Sequence, residues 1–148
     1  MNITVRKLSC EFYVNEFQIR KWERIINRII FDGSLPPFRN VILRQSKTVW
    51  GICWSSGLKR KKYADLQICR YFPTFWLFLE ILAHEMVHHY QYWYECPEIT
   101  IHGNTFRSWK KIFHKHGLDL KISVSMRRSK TCPFKMKKSL ERNLKKKI

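Results

Sequence analysis

The 148-residue chain is poor in acid, in closely spaced cysteines and in long apolar runs. Only 11 Asp and Glu stand against 29 Lys and Arg, a formal net charge of +18. So one-sided a balance works against a compact state unless something negative is near, and it points to nucleic acid, an anionic membrane or an acidic protein as partner. The five cysteines, Cys10, Cys53, Cys69, Cys96 and Cys132, are odd in number, and no two lie within four residues. That spacing excludes a CxxC zinc ribbon and argues against a disulfide framework, so reduced thiols in an intracellular protein are expected. The longest apolar run, 75–83, is broken by Glu80 and falls well short of the roughly 18 residues that cross a bilayer. The N-terminal MNITVRKLSCEFY lacks the basic-then-apolar order of a secretory signal. The sequence has no internal repeat.

Apolar residues make up 45% of the chain, enough for one core. The pattern predicts a single α+β domain over residues 1–126. Asn15 and Gln18 have the spacing of a capping box, and Trp22, Ile25, Ile26, Ile29 and Ile30 follow at helical spacing, so a helix is expected over 15–31, stopped by Gly33. Strands are expected at 41–44, 49–54 and 64–69, the first two joined as a hairpin through Gln45-Ser46-Lys47-Thr48, giving a small, mostly antiparallel sheet. Trp50, Ile52 and Trp54 would share one face of it, and Ala64, Leu66 and Ile68 one face of the third strand. Pro73-Thr74 opens a helix that is apolar on nearly every side and ends by Cys96-Pro97. A shorter helix at 104–116 would turn Phe106, Trp109, Ile112 and Phe113 inward, with Gly117 as its stop. Alternation from Leu118 to Met126 predicts a last strand. Residues 127–148 hold ten Lys or Arg and one Glu, +9 in all, and read as a basic tail, disordered when alone.

A helix apolar all round should avoid charge, yet this one carries Glu80, His84, Glu85, His88 and His89. Within it, His84-Glu85-Met86-Val87-His88 is HExxH. Residues four apart stack on one helix face, so both imidazoles can reach one zinc, and Glu85 can face the water on that metal and take its proton. The plain alternative is two core histidines satisfied by hydrogen bonds, with Glu85 in an ion pair. A catalytic zinc needs a third ligand. The metzincin pattern asks for glycine and histidine three and six residues after the second histidine, where Gln91 and Tyr94 stand. The 104–116 helix has no acid to serve instead. Glu95 and Glu98 are weak candidates, and His102, followed by Gly103, is the best remaining one. His89 points about 100° away from His88. His114 and His116 fall at a helix end, where the dipole favours imidazole. These three read as structural or surface histidines. Tyr90, Tyr92 and Tyr94 are near enough in sequence to support an oxyanion, with nothing to choose among them.

HEMVHHYQYW followed by HGNTFRSWKKI resembles the SprT-like metallopeptidase family, whose signature is HEMxH followed by HGxxF. Trp50-Gly51-Ile52-Cys53 and Leu66-Gln67-Ile68-Cys69 are similar to that family's two strands before the active helix, so the likeness spans about residues 12–126. The resemblance implies zinc ligands at His84, His88 and His102 and a general base at Glu85. The family includes proteases that degrade proteins crosslinked to DNA, with activity coupled to DNA binding. Many members carry a four-cysteine zinc ribbon after the catalytic domain, and this chain has none.

The expectation is therefore a monomeric zinc metallopeptidase acting on a protein substrate, with DNA engaged through the basic tail and Lys59, Arg60, Lys61 and Lys62. Trp54 and Trp76 could stack on unpaired bases, although both sit on apolar faces that suit a core. Met136, Leu140, Leu144 and Ile148 recur every four residues but make too feeble an apolar stripe for a membrane anchor. The rival reading is a non-catalytic nucleic-acid-binding protein that keeps zinc for structure.

Overall fold

The computed structural model describes residues 12–55, 63–96 and 100–123. It is α+β, with three helices and five short strands among those residues. Helix α1 (Glu16–Ile30) starts at the predicted capping box: Asn15 Oδ1 accepts the Gln18 N–H at 2.9 Å, and Gln18 Oε1 accepts the Asn15 N–H at 3.1 Å. It buries Ile19, Ile26, Ile29 and Ile30 and stops where Asp32 and Gly33 take positive φ. Glu23 is buried on the same face, held by Arg20 and by the Phe38 N–H. Asn27 clamps both the N–H and the carbonyl of Leu35. The Pro36-Pro37 turn is thereby stitched to the helix that precedes it.

Strands β2 (Val41–Leu43), β3 (Gly51–Ser55) and β4 (Ala64–Ile68) form one sheet in the order β2-β4-β3. The expected hairpin between the first two is absent: β4 lies between them, parallel to β2 and antiparallel to β3. The mostly antiparallel sheet of the sequence reading is thus a mixed one. The apolar residues of β4 explain the order, because Ala64, Leu66 and Ile68 are fully buried and claim the centre. The connection after β2 is also no tight turn. Ser46 Oγ accepts the Thr48 and Val49 N–H groups, and Gln45 Oε1 reaches across to Arg70 and Tyr71. Asp65 is buried in the central strand because Arg39 binds it twice, at 3.0 and 2.6 Å, and Asn40 adds two more bonds. Strands β1 (Phe12–Tyr13) and β5 (Tyr71–Phe72) pair separately and antiparallel.

Register decides which face of β3 is inside. Gly51, Cys53 and Ser55 oppose Ile68, Leu66 and Ala64, so they share the buried side, and Ile52 is 42% exposed. The predicted Trp50–Ile52–Trp54 face is therefore corrected. Trp50 is buried, but before the strand begins, stacked on Phe72. Trp54 is half-buried.

Helix α2 (Phe75–Trp93) is capped by Thr74, whose Oγ1 accepts the Leu77 N–H. It runs through the centre of the core, burying Phe78, Leu79, Ile81, Leu82, Ala83, Met86 and Val87 together with Glu80, Glu85, His88 and His89. Helix α3 (Asn104–Lys115) turns Phe106 and Phe113 inward, while Ile112, expected inside, faces solvent. Gly117 has φ +78°, as its stop position requires.

The strand predicted from Leu118 is not formed over 118–123, and 124–126 lie outside the described residues. The alternation is real as burial, since Leu118 and Leu120 are inside. The backbone, however, bonds to α2 side chains and not to a strand edge: the Asp119 N–H goes to Glu80, and the Lys121 carbonyl goes to His84. The basic tail and Lys59, Arg60, Lys61 and Lys62 also lie outside the described residues. No helix among the described residues is long and apolar enough to cross a membrane.

Candidate metal centre

His84 and His88 lie one turn apart on α2, and His102 reaches them from the loop that leads into α3. His84 Nε2 is 3.1 Å from His88 Nε2 and 3.3 Å from His102 Nε2. One nitrogen from each of the three rings lies within 4.8 Å of the others, so the group could hold a metal ion. Phe106, the first buried residue of α3, packs against all three rings at centroid distances of 4.6 to 5.0 Å and forms their common wall.

The far nitrogens of His84 and His88 show what these two rings can bind. His84 Nδ1 is 2.8 Å from the Lys121 carbonyl, which can only accept, so Nδ1 carries the proton. His88 Nδ1 is 2.8 Å from Gln91 Oε1. The Gln91 amide is oriented by its own Nε2, which donates to the Ile101 carbonyl at 2.8 Å. His88 is then also protonated on Nδ1. In the neutral rings both Nε2 atoms present lone pairs, and these face each other. Only a proton or a metal cation between them satisfies both. Burial disfavours the proton: it is the main cause that takes His84 down to about 3, helped by the facing His88 and His102, and His88 down to about 4. His102 is lowered by burial too. Three neutral imidazole donors, with the far sides of His84 and His88 anchored, fit a divalent metal.

Glu85 is buried beside this group. Burial pushes its carboxyl up to about 8, and a hydrogen bond from the Cys53 N–H works in the opposite direction. The carboxylate has room because residue 51 is glycine: a Cβ there would stand 3.2 Å from Glu85 Cγ, Glu85 Oε1 and Ile81 Cγ2. A cavity of about 330 Å³ opens over the site, lined by His84, Glu85, His88 and His102, with Gly51 and Tyr92 on its wall. Of the three tyrosines left open by the sequence, Tyr92 lines this cavity. Tyr90 packs on Phe31 and Trp109, and the Tyr94 hydroxyl donates to the Ser34 carbonyl.

The remaining candidates stand apart. His89 is buried and stacked on Phe38, His114 is exposed, and His116 is half-buried past the end of α3. Glu95 is exposed with φ +50° and is not one of the grouped ligands, and Glu98 is outside the described residues. Trp76 donates its indole N–H to Glu80 at 2.8 Å. The reading from sequence missed Gln91, the Lys121 carbonyl and the Cys53 N–H as supports. The two backbone groups leave no trace in side-chain identity. Gln91 was visible only as a departure from a known motif. Compared with known proteins, the chain matches no family model, no curated protein and no solved structure.

Proposed function

We propose that the protein is a zinc-dependent metallopeptidase of SprT-like type, with His84, His88 and His102 holding the metal and Glu85 as general base. The observation that carries this is the buried Glu85 carboxylate next to three imidazoles whose Nε2 atoms converge. A metal held only for structure has no need of a carboxylate aimed at an open cavity. The 3.1 and 3.3 Å nitrogen separations are close to the ~3.3 Å expected of two imidazoles sharing one tetrahedral zinc. When bound, such an ion supplies Lewis-acid polarisation of the substrate carbonyl and acidifies water to near neutrality. The chain's own residues do the rest. Glu85 takes a proton from the attacking water on its carboxylate and returns it to the departing amine. Tyr92 is the cavity-lining hydroxyl available to the developing oxyanion. The Nδ1 bonds of His84 and His88 keep both rings aimed during turnover.

DNA-bound or DNA-crosslinked proteins are the substrate class that best fits a peptidase carrying +18. Arg107, Lys110, Lys111 and Lys115 are exposed on α3, a helix with no acid that begins two residues after His102. The test is metal analysis of the purified full chain together with cleavage of an unfolded protein, with and without DNA. Zinc at one per chain, hydrolysis lost in Glu85→Gln with zinc retained, and stimulation by DNA are expected. Zinc bound tightly with no hydrolysis under any condition would leave the non-catalytic nucleic-acid-binding reading in its place.

A further inference from the structure

We infer that Gln91 is a positioning residue that locks the two halves of the metal centre together. The inference rests on the metal reading above. HExxH fixes only two ligands, both on α2. The third comes from a loop ten or more residues further on, and something must hold that loop at the right height on the helix. Gln91 sits three residues after His88, hence on a neighbouring part of the same helix face. Its Oε1 accepts from His88 Nδ1 at 2.8 Å and its Nε2 donates to the Ile101 carbonyl at 2.8 Å, one residue before His102. One amide therefore does two things. It sets the His88 tautomer that leaves Nε2 free for a metal, and it docks the loop that carries His102. Over residues 100–103 the chain closes into a turn, with the Gly103 N–H donating to the Thr100 carbonyl at 3.1 Å and Ile101 61% exposed.

The residue type follows from the task. A carboxylate would accept from His88 but could not donate to Ile101, and an apolar side chain could do neither. Asparagine, one methylene shorter, would not span the gap. Where a glycine would let the chain turn toward a third histidine six residues on, α2 here continues to Trp93. The connection is made by a side chain and not by a turn of the backbone.

The experiment uses the full chain and variants Gln91→Met and Gln91→Glu. Zinc affinity is measured by competition with a chromophoric chelator, the cobalt-loaded visible spectrum reports tetrahedral geometry, and ¹⁵N NMR of the metal-free protein reports the His88 tautomer. Gln91→Met is expected to weaken zinc binding about 10- to 100-fold, to lower the cobalt absorption and to lose the Nδ1–H preference of His88. Gln91→Glu is expected to keep that tautomer and still lose affinity through the undocked loop. Gln91→Met leaves the buried His88 Nδ1–H without its acceptor and is expected to melt below the wild type without metal, whereas Gln91→Glu keeps that acceptor and should melt near it, so its loss of zinc affinity reports the loop alone. Wild-type zinc affinity in Gln91→Met overturns the inference while leaving the metal reading intact. Failure of the unaltered protein to bind zinc or cobalt overturns the metal reading, and this inference falls with it.

Discussion

The Glu80 carboxylate accepts the backbone N–H of Asp119 at 3.2 Å, and two residues further on the Lys121 carbonyl holds His84 Nδ1 at 2.8 Å. The segment after α3 is thus tied to α2 at two points one helical turn apart. One of those points orients a proposed ligand. An acid in a central buried helix, unexpected from hydropathy, has a structural reason here.

Removing that anchor should loosen the segment that orients His84. Glu80→Ala leaves the Trp76 indole N–H and the Asp119 N–H without their acceptor, at a cost of about 1–3 kcal/mol. Glu80→Gln keeps an acceptor oxygen. It also removes a carboxyl that burial already pushes toward its neutral form, so it should cost much less. Denaturant unfolding of the two variants checks the order. Zinc affinity should fall in Glu80→Ala and hold in Glu80→Gln, and equal affinity in both would separate Glu80 from the metal centre.

Glu85 should be a burden on stability when no metal is bound. Its folded value of about 8 lies above its ordinary 4.5, so the folded state binds the proton more tightly than the unfolded chain does. The penalty is absent below pH 4.5 and grows as pH rises toward 8. In protein stripped of metal, Glu85→Gln should therefore stabilise the fold at pH 7, by about 3 kcal/mol on this shift, with the gain shrinking at pH 5. Denaturant melts at the two pH values test this, and an equal difference at both would contradict it.

The opposite sign applies to His89. Burial against Phe38 lowers it from 6.5 to about 4, so the unfolded chain binds the proton more tightly, and stability falls as pH drops from 6.5 to about 4. The contribution is about 3 kcal/mol over that range. His89→Leu should flatten the acid limb of the stability–pH curve in metal-free protein by roughly one proton. An unchanged slope would place the acid lability in other groups held below their ordinary values, such as His84, His88, His102 and Asp65.

The parts of the fold legible in the sequence were those encoded locally. Asn15 with Gln18, Thr74 before an apolar helix, and Gly117 after an amphipathic one each state their own geometry. The grouping of His84 with His88 was legible for the same reason, since i,i+4 spacing is a property of one helix, and His102 could be reached by elimination. Strand order was not legible. Val41–Leu43 and Gly51–Ser55 are near in sequence, but both pair with Ala64–Ile68, and only the fully buried apolar face of that strand ranks it central. The 118–126 alternation misled because burial of Leu118 and Leu120 against helices has the same period as burial of a strand. Period two reports which residues are inside, and says nothing about what the backbone bonds to.

Gly51 provides a test of how closely the sheet approaches the helix at the site. It opposes Ile68 in the register and lies against Glu85, where an added Cβ would meet Glu85 Cγ, Glu85 Oε1 and Ile81 Cγ2, each at 3.2 Å. Contacts that tight require the neighbours to give by a few tenths of an ångström. Both side chains are buried, but Ile81 is β-branched and stiff while Glu85 is unbranched with more torsions, so the Glu85 side chain is the part that moves. Gly51→Ala should therefore cost about 1 kcal/mol or somewhat more in stability. It should disturb the histidines less than the base, because the three atoms nearest that Cβ belong to Glu85 and Ile81. Zinc affinity should stay at the wild-type value while kcat falls tenfold or more, since displacement of a general base by a fraction of an ångström is enough to spoil proton transfer. Steady-state kinetics on an unfolded protein substrate, run beside a zinc competition titration, separates the two effects. A parallel fall in zinc affinity and rate would mean that residue 51 supports the metal ligands and not the base, and an unchanged rate would mean that Glu85 tolerates displacement and is not the proton acceptor.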